Sequence, residues 1–129
     1  MAEKDVVRTD RAPGPFQGAP YNQAIRVGDL VFVAGQLGIA LETGALAGHG
    51  VAEQTEQIMR NLGAILEAAG SGLDKLVKTT VFLMDLADFA AMNEVYAGHV
   101  GDRPPARSTV QISGLPSGAL VEIEAIAHT

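Results

Sequence analysis

The chain has 129 residues, the size of one ordinary domain, and its 47% hydrophobic and 19% charged residues are a globular balance rather than a disordered one. Nine Lys plus Arg stand against fifteen Asp plus Glu, a net charge of -6, which leaves no broad basic surface for a phosphate backbone. Cysteine is absent, and with it disulfides, thiolate nucleophiles and sulfur-ligated metal or iron–sulfur sites.

From the N-terminus, Met1 to Pro13 alternates charged and small residues and has no apolar core of signal-peptide length. The longest apolar run, Leu30 to Ala34, is too short to span a membrane. A soluble cytoplasmic protein with neither membrane nor nucleic-acid partner is the expectation. Residues 1–20 read as an extended arm, since Ala12 to Pro20 carries three prolines and two glycines. Ala24 to Val27 and Leu30 to Ala34 read as strands joined by a Gly28-Asp29 hairpin turn. A glycine-rich loop follows, Gly38 to Gly50. It lacks the Lys-Ser/Thr ending of a phosphate loop.

Val51 to Ala69 is the clearest helix, with Val51, Thr55, Ile58, Met59, Leu62, Ile65, Leu66 and Ala69 on one stripe and Gly70 as its stop. Leu76 to Met84 is a β-branched strand. Asp85 can cap a second helix reaching about Val100, with Leu86, Phe89, Tyr96 and Val100 facing inward. Arg107 to Ile112 and Leu120 to Ala127 complete the pattern as strands.

The order implies one α+β domain over residues 1–129, a mixed sheet with two helices packed on one face. Two helices cannot cover both faces. Leu30 to Ala34 is nonetheless apolar on both, and Leu120 and Ile126 alternate with Val121, Ile123 and Ala125. Self-association is the simplest way to bury the second face.

Two polar placements need a reason. Asn93 falls in the apolar stripe of the second helix between Phe89 and Tyr96, either as a structural tie to a loop carbonyl or as a site residue. Alternation puts Arg107, Thr109 and Gln111 on one strand face and Glu122 and Glu124 on one face of the next. If those strands pair, Arg107 and Glu122 can share a face, as a structural ion pair or as catalytic groups. His49, His99 and His128 show no ligand spacing, and Asp85 and Asp88 suit a helix start. No metal site is expected.

Several blocks, in order and nearly spanning the chain, resemble the RidA (YjgF/UK114) family. They are Pro20-Tyr21-Asn22-Gln23-Ala24, Val27 to Gln36, Asn61 to Gly70, Val77 to Leu83, Asn93-Glu94-Val95-Tyr96, Pro105 to Val110 and Val121 to Ala127. The resemblance implies a chorismate-mutase-like homotrimer with an inner barrel, helices outside and three sites between subunits. It implies hydrolysis of 2-imino and enamine acids, such as 2-iminopropanoate, to 2-keto acids and ammonia without a cofactor. A small-metabolite-binding or holdase trimer is the alternative role. By the same resemblance Arg107 holds the substrate carboxylate, Glu122 positions water, and Tyr21, Gly35, Asn93 and Thr109 line the pocket. Many members carry Cys where Thr109 stands, Ser where Ala34 stands and Gly where Ala19 stands.

Overall fold

Gly28 takes φ +57°, the left-handed region that glycine enters without steric cost, and so turns strand β2 (Ala24–Val27) directly into β3 (Leu30–Leu37). The computed structural model describes residues 3–129. Around this hairpin the chain adds β1 (Lys4–Val7), α1 (Val51–Ala68), β4 (Leu76–Leu83), α2 (Phe89–Val100), β5 (Ala106–Gln111) and β6 (Val121–His128). The strands form one six-stranded sheet in the order β1-β2-β3-β6-β4-β5, antiparallel except for the β4–β5 pair.

The segment expected as an arm is partly sheet. Lys4 to Val7 pairs antiparallel with β2, Val6 opposite Ile25, whereas Met1 and Ala2 lie outside the described residues. The strand escaped notice because it has four residues, two of them charged. Downstream, Gly70 at φ +80° ends α1 as expected, and the Ser71 N–H is donated back to the Leu66 carbonyl.

Both helices pack on one sheet face. Val31, Val33, Val81, Leu83, Ile123 and Ala125 meet Ile58, Met59, Leu62 and Ile65 in a single core. Each such aliphatic side chain contributes roughly 1.5–3 kcal/mol by leaving water. The second helix departs from expectation at its start. Asp85 accepts the Ala87 N–H at 2.9 Å and so caps a 3-10 turn over Leu86–Asp88, and the α-helix begins only at Phe89. Its buried stripe is therefore Met92, Tyr96 and Val100, while Leu86 and Phe89 remain 47% and 42% exposed.

The opposite face is open. Val6, Ile25, Phe32 and Ile126 stand in register across four neighbouring strands, forming an apolar row with Val6 47% and Phe32 42% exposed. No element of the chain covers it among the described residues.

Candidate active site

On that open face the sheet makes a recess at the β3 bulge. Strand β3 carries an extra residue against β6, so Val33 pairs with Ala125 but Gln36 with Ile123. The bulge re-aims the chain at Ala34-Gly35. Glu122, opposite Phe82 and Leu37, points away from the core that Val121 and Ile123 join. Its carboxyl fills the space a side chain at position 35 would need. A β-carbon on Gly35 would lie 2.7 Å from Glu122 Oε2, so glycine is what admits the carboxyl here.

A cleft of about 390 Å³ opens above this pair, walled chiefly by Phe16, Tyr21, Leu37, Ile39 and Pro116. Neither Lys nor Arg lines it. Burial raises the Glu122 carboxyl above the ordinary carboxylate range, and the like charge of Glu124 adds to the effect. A half-buried acid raised in this way can both take up a proton and return it.

Buried amides hold the walls. Asn61 of α1 donates to the carbonyls of Leu37 and Ile39, at 3.3 and 3.0 Å. Gln23 accepts the Thr9 N–H at 2.8 Å and donates to the carbonyls of Thr9, Ala12 and Pro13, pinning the N-terminal segment beside the cleft. The Tyr21 hydroxyl accepts the Phe16 N–H at 2.6 Å.

The second group of expected site residues lies elsewhere. Strands β5 and β6 do not pair; β4 runs between them. Arg107 sits opposite Thr79, a buried residue whose hydroxyl hydrogen-bonds Tyr96 of α2 at 2.7 Å. Arg107 is therefore on the helix face of the sheet, and Glu122 is on the other. Its guanidinium faces the rings of Tyr96 and Phe89, 4.9 and 5.4 Å from their centroids. Thr109, opposite Val81, shares this face. Asn93 shares the helix stripe of Phe89 and Tyr96, and its Oδ1 is buried without a hydrogen-bond partner.

The expected site residues thus fall into two groups. Tyr21, Gly35 and Glu122 line the cleft, whereas Arg107 lies over Phe89 and Tyr96, with Thr109 on the same strand face and Asn93 on the same helix stripe. The expectation that Arg107 and Glu122 share a face fails for one chain because the register across β4 sets Arg107 level with Thr79 and Ala125, which face the helices, and Glu122 level with Phe82, which faces away. The unusual stretch Pro15-Phe16-Gln17-Gly18 before Ala19 was the sequence signal for the mouth of the pocket, and Phe16 lines the cleft; Gln23 and Pro116 were not named as site residues. Among the described residues no cluster of three or more His, Cys, Asp or Glu could hold a metal ion, and no helix is long and apolar enough to cross a membrane.

Residues 11–129 match the family model described as Endoribonuclease L-PSP. A RutC family protein of Pyrococcus abyssi is 50% identical over 97% of each chain. A human protein named 2-iminobutanoate/2-iminopropanoate deaminase is 42% identical over 95% of this chain and 88% of its own. The crystal structure of RidA from an Antarctic Psychrobacter superposes with a TM-score of 0.91 at 43% identity, covering 97% of this chain and 99% of that one.

Proposed function

Since the chain belongs to the endoribonuclease L-PSP family, the RidA/YjgF family, several of whose curated members are named as deaminases, we propose that it hydrolyses 2-imino and enamine acids to 2-keto acids and ammonia, in a homotrimer whose sites lie between subunits. The observation that carries this reading is the Glu122 carboxyl, raised by burial and laid over Gly35 in a cleft without a cation. The substrate's carboxylate needs a positive partner that the cleft itself lacks, and the family resemblance gives that role to Arg107, on the chain's other face.

A second copy solves two problems at once. It buries the row of Val6, Ile25, Phe32 and Ile126, and it can bring the Arg107, Asn93 and Thr109 group to its neighbour's cleft. Closed rotational symmetry then repeats the same composite site at every interface, and sheets meeting by their open faces give the inner barrel.

The chemistry follows from residue types. The Arg107 fork binds a carboxylate through two parallel hydrogen bonds and keeps its charge at neutral pH. With the acid end fixed, C2 of the imine lies beside a water held by Glu122. Glu122 takes a proton from that water as its oxygen bonds to C2, and the C=N electron pair moves to nitrogen. The proton passes from Glu122 to nitrogen, giving a carbinolamine, and the hydroxyl proton then moves to that nitrogen as the C–N bond breaks, so that ammonia leaves and the keto group forms. For an enamine, protonated Glu122 first delivers its proton to C3. A positioned base of this kind is worth roughly 10²–10⁴-fold. The residues ask for no metal or organic cofactor. No nucleic-acid partner enters this reading, which suits the net charge of -6, and the protein is taken to act in the cytoplasm.

The test generates imines in place with an amino-acid oxidase and follows keto-acid release above the spontaneous rate. Sedimentation equilibrium should return a trimer mass rather than the 13.4 kDa of one chain. Glu122→Gln and Arg107→Lys should each be nearly inactive alone. Refolded together, random assortment should restore about a quarter of the sites if each is shared between neighbours. No recovery in mixed trimers would place both groups in one subunit and defeat the composite site.

A further inference from the structure

Phe16 lies in the tightest stretch of the N-terminal segment. Gln17 sits at φ 53° and Gly18 at φ 67°, with the Gly18 and Ala19 N–H groups donated to the Pro15 and Phe16 carbonyls, each at 3.1 Å. A non-glycine residue persists in the left-handed region only where its surroundings hold it there. Two anchors do so: the Tyr21 hydroxyl on the Phe16 N–H, and Gln23 on the backbone of Thr9, Ala12 and Pro13. Phe16 is thus a fixed wall of the cleft and not a loose flap.

The same hydrogen bond sets the direction of the Tyr21 proton. Because the phenol oxygen accepts from Phe16, its own hydrogen is free to be donated to a group in the cleft, and the incoming N–H strengthens that donation. Of the polar side chains lining the cleft, Tyr21 and Glu122 are then engaged at the reacting end, and Gln36 donates to the Ala34 carbonyl. Around Phe16 the remaining wall is Pro13, Leu37, Ile39 and Pro116, all apolar. Resting on the deaminase reading above, we infer that Phe16 is the specificity-determining residue, selecting imino acids whose side chains are aliphatic and long enough to reach it.

A carboxylate fixed by Arg107 and a C2 atom fixed at Glu122 leave the substrate side chain only this apolar space. An acidic side chain entering it would be desolvated without a cation to meet it. A branched four-carbon side chain reaches further into that space than a methyl group does.

The experiment compares wild type, Phe16→Ala and Phe16→Leu on 2-iminopropanoate and 2-imino-4-methylpentanoate, with calorimetric binding of pyruvate and 4-methyl-2-oxopentanoate in parallel. Phe16→Ala should raise KM for the branched imine about 10-fold or more and change that for 2-iminopropanoate by less than about twofold, with kcat for both held nearly constant. Phe16→Leu should recover most of the loss. Equal shifts on both imines, or none, overturn the assignment. If the wild type releases no keto acid above the spontaneous rate, the deaminase reading fails by itself, and binding decides this one. Tighter binding of 4-methyl-2-oxopentanoate than of pyruvate that disappears in Phe16→Ala upholds it; indifference to the side chain or to the substitution sinks it.

Discussion

The carboxyl of Glu122 rests on the backbone of Gly35, with Oε2 2.7 Å and the carboxyl carbon 2.8 Å from the place a β-carbon at position 35 would occupy. Gly35 lies in the β3 bulge, and neither residue belongs to the core. Gly35→Ala should therefore push the carboxyl aside and leave the fold standing. Turnover of 2-iminobutanoate should drop about 10- to 100-fold, the scale of a 1 Å misplacement. Thermal unfolding of the same variant should stay close to that of wild type.

Glu122→Gln keeps the shape and removes the base. We expect kcat to fall about 10²-fold or more, with little change in the affinity for 2-ketobutanoate measured by calorimetry. The wild-type acid limb of kcat/KM should sit above the ordinary carboxylate range, because burial and Glu124 raise this group.

The same shift acts on stability. The folded-state value lies above the unfolded one, so folding takes up a proton in that window. The stability linked to Glu122 is present below the unfolded value and is lost as pH rises through the folded one. Glu122→Gln has no such loss. Its urea midpoint relative to wild type should climb as pH rises from the ordinary carboxylate range through the raised folded-state value.

Arg107 lies against Tyr96 and Phe89 with its fork free of any carboxylate among the described residues. Arg107→Lys retains the charge but loses the planar, bidentate geometry and the stacking. KM for short imino acids should rise, and 2-ketobutanoate should bind more weakly. Unchanged keto-acid affinity would return Arg107 to a structural role.

Asn93 and Thr109 separate by what their side chains do. The buried, unpartnered Oδ1 of Asn93 costs about 1–3 kcal/mol and has no use in the isolated chain. Asn93→Leu should unfold at higher urea than wild type while losing imine hydrolysis, the mark of an acceptor kept for a ligand. Thr109→Ala should be nearly silent in the same assays, since Thr109 is expected to act through its backbone. Equal activity losses in the two variants would contradict that division.

At the level of local order the sequence alone was nearly sufficient. The Gly28-Asp29 turn, the stripe from Val51 to Leu66 and the stop at Gly70 depend on neighbours within four residues, and composition carries such information directly. The start of α2 depended on one hydrogen bond from Ala87 to Asp85, enough to shift the helix and turn Leu86 and Phe89 outward. The residues of the site were likewise visible as polar groups out of place: Asn93 in a helix stripe, Arg107 and Glu122 in apolar strands. Their arrangement was not. Alternation reveals which residues share a face within one strand, but it is silent on which strands are neighbours. Only the tertiary structure put β4 between β5 and β6, and the register across it sets Arg107 on the helix face and Glu122 on the open one. Strand pairing and register are decided by the packing of the whole core, a sum over distant residues that no local pattern contains, and they divide the proposed site residues between two faces.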